Sequence, residues 1–252
     1  GASSFASVMS WVMGVGETQF NQNTQVQITN EGEQYDTDSG EAVKGIVAWD
    51  KIPGNDYEGI LKKQDAIRNA VGKDLDLQPL YYPMTVTTIN EKTVYLAGTG
   101  LLPEGYYRPP LAEGRYPSGQ NEILLGESYL ENGKTKIGDQ IELKVDELVN
   151  GGYSGKEKTI PVTITGTIKQ DAAMRIGNLP DVYYSAQLTK QLSSYAKEAP
   201  SKILVNTQQD PKEVVQKLGK YLNDNKLLSE DCWVVTVEAL QKSSESGVAK
   251  TI

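Results

Sequence analysis

One pattern occurs twice in this 252-residue chain, at widely separated places, and it limits the folds available more than any other feature. The pattern is a β-rich run, an amphipathic helix and a second β-rich run. In the first copy, residues 44–49 read as a strand. Pro53, Gly54 and Asn55 make a turn, and Asn55 or Asp56 caps a helix whose apolar stripe is Ile60, Leu61, Ile67, Ala70 and Val71, closed by Gly72. Residues 79–88 read as the next strand, which Asn90, Glu91 and Lys92 turn back into Thr93–Leu96. In the second copy, Lys202–Asn206 is a strand. Asp210 is an N-cap with Pro211 at the first helical position and Glu213 placed for a capping box. Val214, Val215, Leu218, Tyr221 and Leu222 form the buried stripe, and Trp233–Val237 is a β-branched strand.

Two strand–helix–strand units commonly build one sheet with both helices on one face, as in ferredoxin-like folds. The stretch between them is different. From Gly98 to Pro117 it is rich in proline and tyrosine and reads as an irregular connection. Short strands at Glu122–Leu125, Gln140–Val145, Thr159–Ile168 and Asp181–Ser185 follow, with a short helix near Ser128–Asn132, a glycine-rich loop at Asn150–Gly155, and a helix ending before Pro200. Before the first copy, Val26 and Ile28 alternate with polar residues as in a half-buried strand. The expected architecture is α+β. One lobe is made of residues 1–98 and 200–252, and residues 99–199 form an inserted β-rich lobe.

Composition narrows the function. Histidine is absent, which removes Ser-His and Cys-His nucleophile activation and every histidine-containing metal site. Cys232 is the sole cysteine, so no internal disulfide or thiolate cluster forms; beside Trp233 and Val234 it reads as a structural thiol. The net charge of −8 repels nucleic acid and anionic lipid, and the basic residues are scattered. No run reaches the roughly 20 apolar residues of a membrane span. Phe5, Val8, Met9 and Val12 share one helical face, as in a helix packed on the domain or in the end of a membrane helix cut short.

Several motifs invite a chemical reading. Gly133-Lys134-Thr135 looks like the end of a phosphate-binding loop, but Ser128 stands where that loop requires glycine. Asp36, Asp38 and Gly40 echo a calcium loop, whose twelfth position here is Val47 rather than a carboxylate. Glu113, Glu122, Asp139 and Glu142 are close in sequence, yet nothing singles out a glycosidase-like pair. No catalytic, cofactor-binding or metal-binding residue is therefore expected. Tyr106, Tyr107 and Arg108, followed by Pro109 and Pro110, are the candidate partner-binding residues, either as an aromatic recognition patch or as a connector whose tyrosines cover the core edge.

The middle of the chain carries a family resemblance. Leu111-Ala112-Glu113-Gly114-Arg115-Tyr116-Pro117, then Asn121-Glu122-Ile123-Leu124-Leu125-Gly126, then Lys136-Ile137-Gly138-Asp139-Gln140-Ile141 resembles the MacB-like extracytoplasmic domain of FtsX-type ABC transporter permeases. The strand Val162–Ile168 with its central Gly166 also fits. The glycines suit positive φ, and Asp139 can satisfy nearby amides, so these residues mark a fold rather than a reaction centre. The resemblance implies a porter-like lobe from the two chain ends, an inserted sabre-like lobe, no cofactor and no catalysis. It also implies a place on the extracytoplasmic face of the cell membrane, in a permease that works as a dimer with a cytoplasmic ATPase reached through membrane helices. ATP-driven closure would move the domain against an adaptor, peptide or lipoprotein outside. An independent secreted binding protein and a carboxylate-based hydrolase are the competing readings.

Overall fold

The computed structural model describes residues 24–30, 35–46, 57–149, 152–169, 180–196, 200–228 and 230–243. The helix expected at 5–15, the turn and cap at 53–56, and the expected strand beyond residue 46 lie outside them, as do residues 1 and 252. The chain divides into two compact units. The first comprises 1–80, 105–107 and 200–252, and the second 81–104 and 108–199.

In the first unit, β1 (Val26–Thr29), β2 (Ala42–Lys44), β3 (Asp76–Leu80), β11 (Lys202–Asn206) and β12 (Trp233–Thr236) form a sheet in the order β2-β12-β1-β11-β3, and every neighbouring pair is antiparallel. Helix α1 (Tyr57–Val71) connects β2 to β3, and α3 (Pro211–Asp224) connects β11 to β12. Two split β-α-β units thus interleave around β1. This corrects the expected role of β1. All four of its residues are buried, with Gln27 0% and Thr29 1% exposed, so both faces of the strand are covered. The expected strand at 44–49 corresponds to β2, which ends at Lys44 and lies at the sheet edge.

Both helices cover the same face. Ile67 and Val71 of α1 and Val214, Val215, Leu218 and Leu222 of α3 pack on Val26, Ile28, Leu77, Val205 and Val234. Each side chain buried in this way contributes about 1.5–3 kcal/mol relative to exposure. Leu61 and Ala70, expected in the α1 stripe, are exposed instead. The α3 boundary matches its sequence signal, because the Asp210 carboxylate accepts from the Lys212 amide at 3.1 Å and Pro211 opens the helix. Gly219 lets α3 approach β2 closely, since a Cβ there would lie 2.5 Å from Val43 Cβ.

The second unit contains β4 (Met84–Ile89), β5 (Lys92–Gly100), β6 (Leu111–Gly114), β7 (Glu122–Gly126), a 3₁₀ turn (Glu127–Leu130), β8 (Gln140–Val149), β9 (Gly152–Ile168), β10 (Val182–Tyr184) and α2 (Ala186–Ala196). The strand order is β6-β9-β7-β10-β5-β4-β8, and β8 also pairs with β9, so the ladder closes into a ring with β6 outside it. Ile123, Leu125, Leu143, Ile160, Val162, Ile164 and Tyr184 fill the ring with Leu188 and Leu192 of α2. Tyr184 lies over Gly98, and its hydroxyl is 2.9 Å from the Pro83 carbonyl and 2.9 Å from Thr85 Oγ1.

The second unit forms its own sheet, but its boundary is not at 98/99. The expected strand 79–88 divides at Tyr81–Pro83 into β3, an edge strand that tolerates Pro79, and β4, which pairs with β5 and β8. The hairpin that joins β4 to β5 turns through Asn90 and Glu91, both at positive φ as in a type I′ turn. β9 is longer than expected. It starts at Gly152 and pairs with β8 out to Val149↔Gly152, so residues 152–155 of the expected glycine-rich loop are strand.

Candidate functional site

The residues that carry the family pattern are brought together in the second unit, where they tie backbone to backbone. Arg115 and Glu122 form a two-pronged ion pair, with Nη1 to Oε1 at 3.1 Å and Nη2 to Oε2 at 2.6 Å. Oε1 also accepts from the amides of Ser118 at 3.0 Å and Gly119 at 2.6 Å. One carboxylate therefore fixes the whole turn between β6 and β7. The hydrogen bond from Arg115 is the main cause that holds the Glu122 carboxyl at about 2. The two amides and the Arg115 charge add to it, against the opposing effect of burial.

The glycines of the pattern serve close approach. Gly114 has φ 82°, and a Cβ there would run into the Thr165 carbonyl and lie 2.6 Å from Gly166 Cα. Gly166 has the same constraint from the other side, with Glu113 O 2.8 Å and Arg115 O 2.9 Å from the place of a Cβ. In the Lys136–Asp139 turn, Gly138 has φ 97° and Asp139 Oδ2 accepts from the Lys136 amide at 2.9 Å. That turn docks on β9 through Gly138 N to Ile164 O at 2.8 Å and Ile164 N to Asp139 O at 3.0 Å.

The other motifs resolve as turns. Asn132 Oδ1 accepts from the Lys134 amide at 3.0 Å inside Gly133-Lys134-Thr135, and Asp36 Oδ1 accepts from the Asp38 amide at 2.9 Å. Of the four neighbouring carboxylates, Glu122 and Asp139 are held in turns, while Glu113 and Glu142 are exposed on β6 and β8. Among the described residues, no three His, Cys, Asp or Glu side chains are grouped as a metal site.

Tyr106, Tyr107 and Arg108 do not form one exposed patch. Tyr106 is 8% exposed and belongs to the first unit, where its hydroxyl donates to Asp76 Oδ2 at 2.6 Å. Burial, reinforced by the bond to Asp76 and its charge, raises that phenol well above its ordinary value. Arg108 belongs to the second unit, donates from Nε to Leu102 O at 3.1 Å, and stacks 5.1 Å from the Tyr116 ring centre. Tyr107 and Arg108 are half-exposed. Large apolar side chains stand exposed elsewhere, at Met84 and Tyr95 on β4 and β5 and at Val149 and Tyr153 near the β8–β9 hairpin tip. Within β4 and β5 both phases of the alternation carry apolar or small residues, so the pattern did not reveal which side faces solvent.

The family model of the MacB-like periplasmic core domain matches residues 1–221. The chain belongs to that family. A MacB-like periplasmic core domain is the extracytoplasmic part of an ABC transporter permease. Two solved structures are similar to it. One is the extracellular domain of the noncanonic ABC-type transporter YknZ from Gram-positive bacteria, with 16% identity, TM-score 0.49, and coverage of 77% of this chain and 98% of that one. The other is the periplasmic region of MacB from Actinobacillus actinomycetemcomitans, with 12% identity, TM-score 0.48, and coverage of 88% and 94%. No curated protein matches significantly. No helix among the described residues is long and apolar enough to cross a membrane.

Proposed function

We propose that this MacB-like domain is a non-catalytic coupling element on the extracytoplasmic face of the cell membrane, which passes ATP-driven motion of membrane helices to a substrate or partner outside. The observation that carries this reading is the construction of the first unit. Its central strand β1 is paired on both sides by strands from the far end of the chain, Val26↔Val205 on one side and Val26↔Thr236 on the other. A body sewn from both ends of a chain can be driven from both ends, while the segment between them folds around its own core. The first unit is then porter-like, in the ferredoxin-like sense of strand order β12-β1-β11-β3 with β2 added at the edge. The second is the sabre-like passenger. In this reading the permease works as a dimer with a cytoplasmic ATPase, and the half-exposed Tyr107 and Arg108 lie on surface open to an adaptor, peptide or lipoprotein.

The test uses the complete permease with its ATPase in nanodiscs. A spin label is placed at Tyr153→Cys in each protomer, in a Cys232→Ala background. Inter-label distances are then compared between the ADP state and a vanadate-trapped state. A shift of several ångströms on trapping supports coupling, and identical distributions in the two states refute it.

A further inference from the structure

We propose that the outer face of β4, β5 and β8 in the second unit docks a basic amphipathic segment of a polypeptide partner. An antiparallel sheet with one face on a core usually presents polar side chains on the other. Here Ile89 of β4 and Leu96 of β5 belong to the core, yet the opposite phase carries Met84 and Val86 on β4 with Tyr95 and Ala97 on β5. The register joins these four into one strip, Met84↔Ala97 and Val86↔Tyr95. Met84 is 59% exposed and Tyr95 71%, so the strip stands in solvent. Adjoining apolar side chains of this size form a continuous surface of the kind that marks an interaction site, which scattered single residues do not.

Charge identifies the occupant. β8 continues the face beside the strip, with Lys144 opposite Val86 and with Glu142 and Asp146 two residues to either side of it. Asp146 lies directly opposite Glu157 of β9, a pairing of like charges that costs stability in the free domain. Among the described residues, none of these four side chains forms an ion pair. Three carboxylates against one ammonium leave the border of the strip negative and uncompensated. A second copy of the same face would set that excess against itself, and an anionic lipid surface would be repelled. A basic amphipathic segment answers both features, with its apolar side chains on Met84 and Tyr95 and its lysines or arginines along the carboxylates. The two exposed side chains suit such a partner. Methionine adapts to irregular shapes, and tyrosine covers area at low entropic cost while its ring face accepts a cation.

This proposal rests on the coupling reading and names the chemistry of its external partner, while its test needs no ATPase. The whole chain, labelled with ¹⁵N, is titrated with the peptide Ac-Leu-Lys-Lys-Leu-Leu-Lys-Leu-Leu-Lys-Lys-Leu-Leu-Lys-Leu-NH₂ and with the same peptide carrying glutamate in place of every lysine. The expected result is a set of shifts confined to β4, β5 and β8 and their neighbours, with the lysine peptide bound at least about tenfold more tightly than its acidic counterpart. The double variant Met84→Ser/Tyr95→Ser should weaken the lysine peptide about tenfold. Asp146→Asn/Glu157→Gln should weaken it about fivefold while leaving the melting temperature of the free chain unchanged or higher. A merely structural role for these two carboxylates would lower that temperature instead. Equal binding of the two peptides, no binding, shifts elsewhere, or indifference to either double variant would each overturn the proposal. So would binding to vesicles of phosphatidylcholine and phosphatidylglycerol through this face, or self-association in sedimentation that Met84→Ser/Tyr95→Ser abolishes, since each gives the face a different occupant. A distance between spin labels that ignores nucleotide, with peptide binding intact, would count against the coupling reading alone.

Discussion

Glu122→Ala removes four hydrogen bonds with one substitution, and its cost can be worked from the geometry. Lowering a carboxyl from 4.5 to about 2 corresponds to roughly 3 kcal/mol. Arg115 is 57% exposed, so solvent screening reduces the share realised to ~2 kcal/mol. Arg115→Ala should cost clearly less, because Glu122 keeps the amides of Ser118 and Gly119. This inequality separates a carboxylate that organises a turn from a simple surface ion pair. Urea unfolding at neutral pH, followed by far-UV circular dichroism and by amide exchange at Ser118 and Gly119, reads both quantities. The midpoint should fall while the slope stays constant. The pH dependence follows from the sign of the shift. A carboxyl depressed in the folded state contributes fully above its unfolded value and loses that contribution as pH falls from about 4.5 to about 2. Glu122→Gln should therefore show a flatter stability profile over that interval. A loss below ~0.5 kcal/mol for Glu122→Ala, or an equal loss for Arg115→Ala, refutes the reasoning.

Gly114→Ala should destabilise by more than ~2 kcal/mol, because the added methyl meets the Thr165 carbonyl at a left-handed backbone position. Gly133→Ala, with φ 73° but open space around it, should cost only ~1 kcal/mol; thermal melts of the pair test the contrast. Tyr184→Phe should cost ~1–2 kcal/mol by removing the hydroxyl that meets Pro83 O and Thr85, measured by urea unfolding. Asp210→Ala should cost ~1 kcal/mol and speed hydrogen exchange in the first turn of α3, since the Lys212 amide loses its cap.

The elements read most accurately from sequence were those whose signals are local. Asp210-Pro211 marks the start of α3 by chemistry that acts within one turn, and Asn90-Glu91 marks the β4–β5 hairpin in the same way. The family residues Gly114, Gly138 and Asp139 act through turns as well, and their structural role was legible, whereas the hold of Glu122 on the Ser118 and Gly119 amides was not. Less accessible were features decided by distant partners. Nothing in Val26–Thr29 distinguishes a central strand from an edge strand, because its partners lie beyond residue 200. The hairpin alternation of 84–100 says nothing about which sheet receives it, which is why the boundary falls at 80/81 and not 98/99. The outer part of β9 is solvent-exposed on both faces from Gly152 to Thr159, so it has no apolar phase by which to be recognised. For Tyr106 the sequence left two readings open, a recognition patch with Tyr107 and Arg108 or a tyrosine covering the core edge. Its burial depends on Asp76, 30 positions earlier.

The closed ladder of the second unit also governs its mechanical behaviour. In an open sheet, a load on the outermost strand can peel one row of hydrogen bonds at a time. Here each of β9, β7, β10, β5, β4 and β8 has a neighbour on both sides, so a tug on any of them is shared by two rows at once. Displacement applied to one strand of such a girdle is therefore spread around the ladder, with little lost to internal give.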